Sequence, residues 1–262
     1  MSGEAVVLAI EDLSIRFGGL IAVEQLTFDV REGEVLSLIG PNGAGKTSAF
    51  NAITGYIPAS GGSIVYRGTR LNGMKPNEIA ARGVVRTFQK TSVFGGLSVF
   101  DNVLTGLHLR GRQHPFAIML GLPRVWRDEK RLRRETDEIL HLIGLERLAF
   151  ETAASLPYGK LRLLEVAVAL AAKPTLLLLD EPVSGMNPAE TAEFMRLVAR
   201  IRELGVTILL VEHDMKMVMG VSDRVVCLNQ GRAIAVGPPA AIQRDPEVIR
   251  AYLGERYLRA QG

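Results

Sequence analysis

The sequence holds a single cysteine, Cys227, so no intrachain disulfide can form and a reducing, cytosolic setting is the natural reading. It also lacks a long unbroken apolar run. The most apolar stretch, LLEVAVALAAKPTLLLLDE, is interrupted by Glu165, Lys173 and Pro174, which excludes a membrane span. The amino terminus, MSGEAVVLAIED, offers only six uncharged apolar residues, Ala5 to Ile10, with no basic stretch ahead of them, so it is not expected to act as a signal peptide. Charge of one sign is not in excess. A net charge of +3 over 262 residues neither demands nor excludes an anionic partner. No internal repeat, low-complexity tract or sustained heptad pattern is present.

What remains is a chain with 47% hydrophobic residues, enough to bury the core of one large domain or of a domain carrying an inserted subdomain. Short apolar runs at 33–40, 83–89, 175–181 and 205–213 read as buried strands. Helical patterns fall between them at 46–54, 158–172 and 188–204. That alternation predicts an α/β fold with a mainly parallel sheet covered on both faces. RVVCLNQGRAIAVG (224–237) reads as a hairpin turning at Asn229-Gln230-Gly231. The interval 98–150 has helical periodicity without a convincing strand, and Ser98 with Asp101 looks like a capping box. Roughly 90–165 is read with it and is expected to be a mostly helical insertion.

Two stretches carry chemistry. GPNGAGKT (40–47) fits G-x-x-x-x-G-K-[ST] between a predicted strand and a predicted helix, the context that makes this motif specific. Gly40, Gly43 and Gly45 let the backbone curl so that N–H groups face phosphate oxygens, and the helix N-terminus adds its positive end. Pro41, Asn42, Ala44 and Ser48 complete the loop. Lys46 is expected to reach β- and γ-phosphates, and Thr47 to ligate Mg²⁺. LLLLDEP (176–182) is a buried strand from whose C-terminal end Asp180 emerges, placed to hold the Mg²⁺ shell. Glu181 follows, pointing differently, and can accept a proton from an attacking water. Taken alone, the two carboxylates would read as a helix cap. His213 and Gln89 end two other predicted strands. His213 is placed to reach a γ-phosphate, and Gln89 to ligate Mg²⁺ and orient water. Alone, His213 would read as a structural or surface-exposed histidine and Gln89 as only a glutamine at a strand end.

With these motifs in hand the chain resembles the ATP-binding subunit of ABC transporters over nearly its whole length. GPNGAGKT is similar to the Walker A motif and LLLLDE to Walker B. Gln89 matches the Q-loop glutamine, His213 the switch histidine, SGMN (184–187) the D-loop, and LPYGK (156–160) the signature motif. Phe17 matches the aromatic that stacks on adenine. RFGGLIAV, RTFQ, LPYG, SGMNPAE, VEHDM and the tail AVGPPAAIQRDPEVIRAYLG further resemble the branched-chain amino acid uptake family.

The resemblance implies a P-loop NTPase core with an N-terminal antiparallel β subdomain and an inserted helical subdomain. It divides the chain into 1–89 and 166–237 as core, 90–165 as helical signature subdomain, and 238–262 as a helical tail. It implies ATP and Mg²⁺ as cofactors. The implied partners are permease subunits, a second ATP-binding subunit in a homo- or heterodimer, and indirectly a periplasmic or extracellular solute-binding protein. The implied location is peripheral, at the cytoplasmic face of the membrane. Two subunits pack head to tail, so Pro157, Tyr158, Gly159 and Lys160 would cover the γ-phosphate held by the partner. Gly159 would admit backbone N–H groups to the anion, and Pro157 sits where a helix has no donor to lose. The loop 94–102 is the expected permease-docking region.

Some residues depart from the family pattern. Pro157 stands where many members have Ser and Asn187 where many have Asp. Leu161, Leu163 and Val168 are apolar where similar proteins are polar or basic. The basic stretch 110–134 could face lipid headgroups, although a solvated helix face is the default for such a run. A competing reading is an ABC ATPase acting on nucleic acid or ribosomes. Those acting on ribosomes generally carry two cassettes, and the DNA-repair type a long coiled coil. One phosphate loop without heptads argues against both, so no nucleic-acid partner is expected. A third reading, a P-loop kinase or GTPase-like switch, would need neither LPYG nor His213.

Overall fold

A computed structural model describes residues 5–87, 93–108 and 123–259. The chain divides into two compact units, the first made of 1–86, 175–182 and 198–262, the second of 87–174 and 183–197.

The first unit holds two sheets. One is antiparallel, in the order β2-β1-β4-β5, from β1 (Val6–Phe17), β2 (Leu20–Arg31), β4 (Gly61–Tyr66) and β5 (Thr69–Arg70). The other has the order β10-β9-β3-β8-β7-β6, from β3 (Val35–Ile39), β6 (Val84–Arg86), β7 (Leu176–Asp180), β8 (Thr207–Val211), β9 (Arg224–Asn229) and β10 (Arg232–Gly237). Its pairs from β6 across to β9 are parallel, and β10 adds an antiparallel edge. β3, β7 and β8 are buried at every position, as continuous apolar runs require when both faces of a parallel sheet are covered. The β9–β10 hairpin turns on Gln230 and Gly231, whose φ values of 47° and 81° are the two positive dihedrals that a two-residue hairpin favours. Helices α1 (Lys46–Ile53) and α2 (Pro76–Ala81) follow β3 and β5. Helices α7 (Met215–Val221), α8 (Pro239–Ile242) and α9 (Pro246–Arg259) follow later in the chain. Cys227 lies in β9, fully buried, and burial pushes its thiol up to about 11.

The second unit is helical: α3 (Val99–His108), α4 (Pro123–Ile143), α5 (Tyr158–Ala171) and the first turns of α6 (Pro188–Glu203). Val99, Val103, Leu107, Leu140, Ile143, Leu164 and Ala167 are buried. Ser98 Oγ accepts from the Asp101 N–H at 3.0 Å and donates to the Asp101 carboxylate at 2.6 Å. The expected cap is therefore present, closed through the two side chains rather than through the Ser98 backbone N–H. Asn102, buried, pins the loop before α3, donating to the carbonyls of Phe94 and Ser98 and accepting from the Phe94 N–H. Among the described residues no helix is long and apolar enough to cross a membrane.

Candidate functional site

The loop after β3 is shaped by contacts that admit only glycine at two places. Gly40 has φ 148°, and a Cβ there would lie 2.2 Å from the Leu228 carbonyl oxygen. Gly45, with φ 101°, caps α1, and a Cβ there would meet the Ala22 carbonyl oxygen at 2.5 Å. The loop is braced from outside by the β9–β10 turn. Gly231 N–H donates to the Ala44 carbonyl at 3.0 Å, and Glu24 N–H to the Gly231 carbonyl at 2.8 Å. No side chain caps α1 and no acidic residue stands in its first turn, so its N–H groups and positive end are not neutralised locally. Lys46 is buried, and its Nζ donates to the carbonyls of Gly40 at 2.7 Å and Pro41 at 2.9 Å. Thr47 is exposed and Ser48 half-buried.

Asn42, Gly43, Ala44, Gly45, Lys46, Thr47 and Ser48 line one wall of a cleft of about 320 Å³. Phe17, Leu20, Ile21 and Ala22, from the β1–β2 turn, form another, and Glu181 joins them. Phe17 is half-exposed, with 49% of its surface free, as a ring offered to a ligand must be. Glu181 reaches the cleft because its backbone turns: φ is 46°, and its N–H donates to the Val211 carbonyl at 2.9 Å. Asp180, one residue earlier, is 3% exposed. Its Oδ2 accepts from Arg86 Nη2 at 2.5 Å, while Oδ1 is buried with no hydrogen-bond partner among the described residues.

His213 is not among the residues that line this cleft. Its side chain is 59% exposed, with Nδ1 3.7 Å from Glu212 Oε2. Glu212, fully buried, accepts from the N–H groups of His213 at 2.9 Å and Asp214 at 3.1 Å. The sequence reading passed over this carboxylate. A charged residue directly after five buried strand positions was the available signal. Gln89 lies outside the described residues.

Pro157, Tyr158, Gly159 and Lys160 are built in the second unit. Pro157 is the N-cap of α5, its carbonyl accepting from Leu161 at 3.0 Å. Three successive residues pack on the D-loop and α6 side. Tyr158 lies over Gly185, where a Cβ would meet its ring at 3.1 Å. Gly159 faces Glu190, whose Oε1 would be 2.6 Å from a Cβ, and Lys160 Nζ lies 3.4 Å from Glu193 Oε1. Glycine at 159 thus has a reason within its own chain. Glu190 is fixed there by a reciprocal cap: its carboxylate accepts from Asn187 N–H at 2.9 Å, and Asn187 Oδ1 accepts from the N–H groups of Ala189 and Glu190. Asn187 fills the N-cap position, which asparagine and aspartate serve about equally. Arg162 lies over the Tyr158 ring at 5.1 Å, donates to its hydroxyl, and pairs with Glu165 at 2.8 Å. Burial pushes the Glu165 carboxyl above its ordinary value, against the pull of Arg162. Leu163 is buried and Leu161 and Val168 are half-buried, so α5 shows little apolar surface despite its composition.

The family model described as "ABC transporter" matches residues 23–184, and that described as "Branched-chain amino acid ATP-binding cassette transporter" matches 234–257. The chain is 45% identical over 249 residues to the high-affinity branched-chain amino acid transport ATP-binding protein LivG of Salmonella typhimurium, spanning 95% of this chain and 98% of that one. It is 41% identical over 250 residues to BraF of Pseudomonas aeruginosa, of the same description, with the same coverage. Among solved structures, the ADP conformation of an ATP-binding cassette of an ABC transporter superposes with a TM-score of 0.83 at 28% identity, covering 95% of this chain and 99% of that one.

Proposed function

The chain belongs to the ABC transporter family as an ATP-binding, ATP-hydrolysing subunit, and we propose that the importer it powers carries branched-chain amino acids or closely related small solutes. The observation that carries the ATPase reading is a cleft that brings together Phe17, the phosphate loop and Glu181. In it Phe17 stacks on adenine. The N–H groups of Gly43, Gly45, Lys46, Thr47 and Ser48 and the Lys46 ammonium, exchanging its carbonyl partners for phosphate oxygens, hold the β- and γ-phosphates. Glu181 takes the proton of the attacking water. The site suits Mg²⁺, because Asp180 Oδ1 is a buried carboxylate oxygen still lacking a partner among the described residues. Thr47 and Asp180 would hold the cation, which supplies charge neutralisation at the phosphates. Gln89 and His213 complete the roles, orienting water and reaching the γ-phosphate.

The N-terminal end of α5, Pro157 to Lys160, serves the ATP of a second cassette, its first-turn N–H groups and positive dipole end facing that γ-phosphate. The chain works peripherally at the cytoplasmic face, docked to permease subunits through the loop 94–102, where Phe94 is 59% and Leu97 39% exposed. A solute-binding protein delivers cargo from the other side. The described part of the basic stretch supports the solvated-face reading, since Arg131 pairs with Asp128 and Glu135 and Arg133 pairs with Glu129. The nucleic-acid alternative is not favoured, because the relatives that match 95% of the chain are transport proteins.

The solute is tested by reconstituting the chain with its permease subunits and binding protein in liposomes and measuring ATP hydrolysis against a panel of amino acids. Stimulation by leucine, isoleucine or valine is expected. Stimulation confined to unrelated solutes would remove the branched-chain assignment while leaving the ATPase intact. A smaller effect tests the adenine contact. Phe17→Ala should weaken ATP binding by about 1–3 kcal/mol, the worth of a base–aromatic stack, and Phe17→Tyr should bind as wild type. Equal losses in both variants, measured by titration with a fluorescent ATP analogue, would move Phe17 out of the adenine site.

A further inference from the structure

Resting on the reading that Asp180 holds the cation, we infer that Arg86 is a positioning residue that keeps divalent cations off Asp180 until a nucleotide brings one in. Arg86 closes β6, and its side chain is 7% exposed beside an Asp180 side chain that is 1% exposed. Its guanidinium is fixed on three sides. Nη2 donates to Asp180 Oδ2 at 2.5 Å, Nη1 donates to Asn51 Oδ1 at 2.6 Å, and the group lies 5.5 Å from the centre of the Phe50 ring. Asn51 and Phe50 both belong to α1, the helix that the phosphate loop opens. One residue thus ties the end of β7 to the phosphate-binding helix, from a position three residues before Gln89.

The arrangement splits the Asp180 carboxylate. Oδ2 is taken by the guanidinium, and Oδ1 is buried without a partner among the described residues. A bare divalent cation approaching Oδ1 meets a fixed positive charge a few ångströms away, in a buried setting where water screens poorly. Its attraction to a carboxylate that is already paired is largely cancelled. A cation that arrives on nucleotide phosphates brings its own counter-charge and is not repelled in this way. The charge does the excluding and the fork does the orienting. An arginine satisfies two acceptors at a fixed angle, whereas a lysine supplies the charge without the second arm.

The test uses the full chain and Mn²⁺ alone as probe, followed by electron paramagnetic resonance at pH 8. Nucleotide-free wild-type protein should bind Mn²⁺ weakly and gain affinity when ADP is present. Arg86→Gln and Arg86→Met, both neutral, should bind Mn²⁺ without nucleotide at least about tenfold more tightly, and Arg86→Lys should stay weak like the wild type. Adding Asp180→Asn to Arg86→Gln should remove the gained site. Unchanged Mn²⁺ affinity in folded Gln and Met variants overturns the inference. So does a wild-type chain that binds Mn²⁺ equally well with and without ADP, a measurement that needs no variant to fold. The underlying assignment is read separately, from the Mg²⁺ dependence of binding of a fluorescent ADP analogue to Asp180→Asn. If that dependence persists, Asp180 is not the cation ligand and the inference falls with it. If it is lost while the neutral Arg86 variants bind Mn²⁺ as wild type does, only the role of Arg86 is wrong.

Discussion

Glu181→Gln should bind ATP as tightly as the wild type and hydrolyse it about 10²–10⁴-fold more slowly, the cost of removing a positioned general base. Glutamine keeps the shape of the side chain and loses only its basicity, so the cleft formed with Phe17 and the phosphate loop should survive. The backbone argues for a functional carboxylate here. Glu181 holds φ at 46°, a conformation that costs a non-glycine residue about 1–3 kcal/mol and that clusters at active sites. That turn separates two adjacent acids, leaving Asp180 buried against Arg86 and bringing Glu181 to the cleft. Single-turnover hydrolysis and equilibrium ATP binding measured on one preparation decide the matter, and ATP-bound closed dimers should accumulate in size-exclusion runs. Hydrolysis at the wild-type rate would make Glu181 a structural carboxylate.

The parts of the fold that could be read from the sequence are those whose burial pattern is uniform. β3, β7 and β8 are buried at every position and fall inside the predicted strands. α1, α5 and α6 begin where the motifs and periodicity place them. β1 and β2 were invisible to periodicity and came only from the family resemblance. Their alternation is broken by register shifts, between Ile10 and Leu13 among others, and by positive φ at Asp12 and Gln25, which slip the inward face along each strand. Long-range polar pairings were equally illegible. Nothing local says that Arg86 takes Asp180, 94 residues away, or that Arg224 bridges Asp29 and Glu34. Gly159 is the instructive intermediate. Its place in LPYG is visible in the sequence, but its closeness to Glu190 depends on the Asn187 cap that orients that carboxylate. An acidic residue at 159 would therefore meet its own chain before meeting any partner's nucleotide.

Lys46→Ala should reduce ATP affinity by at least about a hundredfold, and the way the loss depends on phosphate number tells which of two roles Lys46 performs. Without nucleotide the ammonium satisfies the carbonyls of Gly40 and Pro41 from inside the loop, so alanine also removes a buried donor. Leaving those oxygens without it costs about 1–3 kcal/mol of stability, or several degrees in Tm for a chain of this size. A collapsed loop would weaken every nucleotide alike. A lost contact to the β- and γ-phosphates would not, because AMP has neither. The contact itself is worth more than a neutral hydrogen bond, since both partners are charged. The expected result is a steep loss for ATP, nearly as steep a loss for ADP, and little change for AMP, with the melting point of the free protein lowered modestly. Equal losses for ATP and AMP would assign Lys46 to the shape of the loop and leave the phosphates to the N–H groups of Gly43 and of residues 45 to 48.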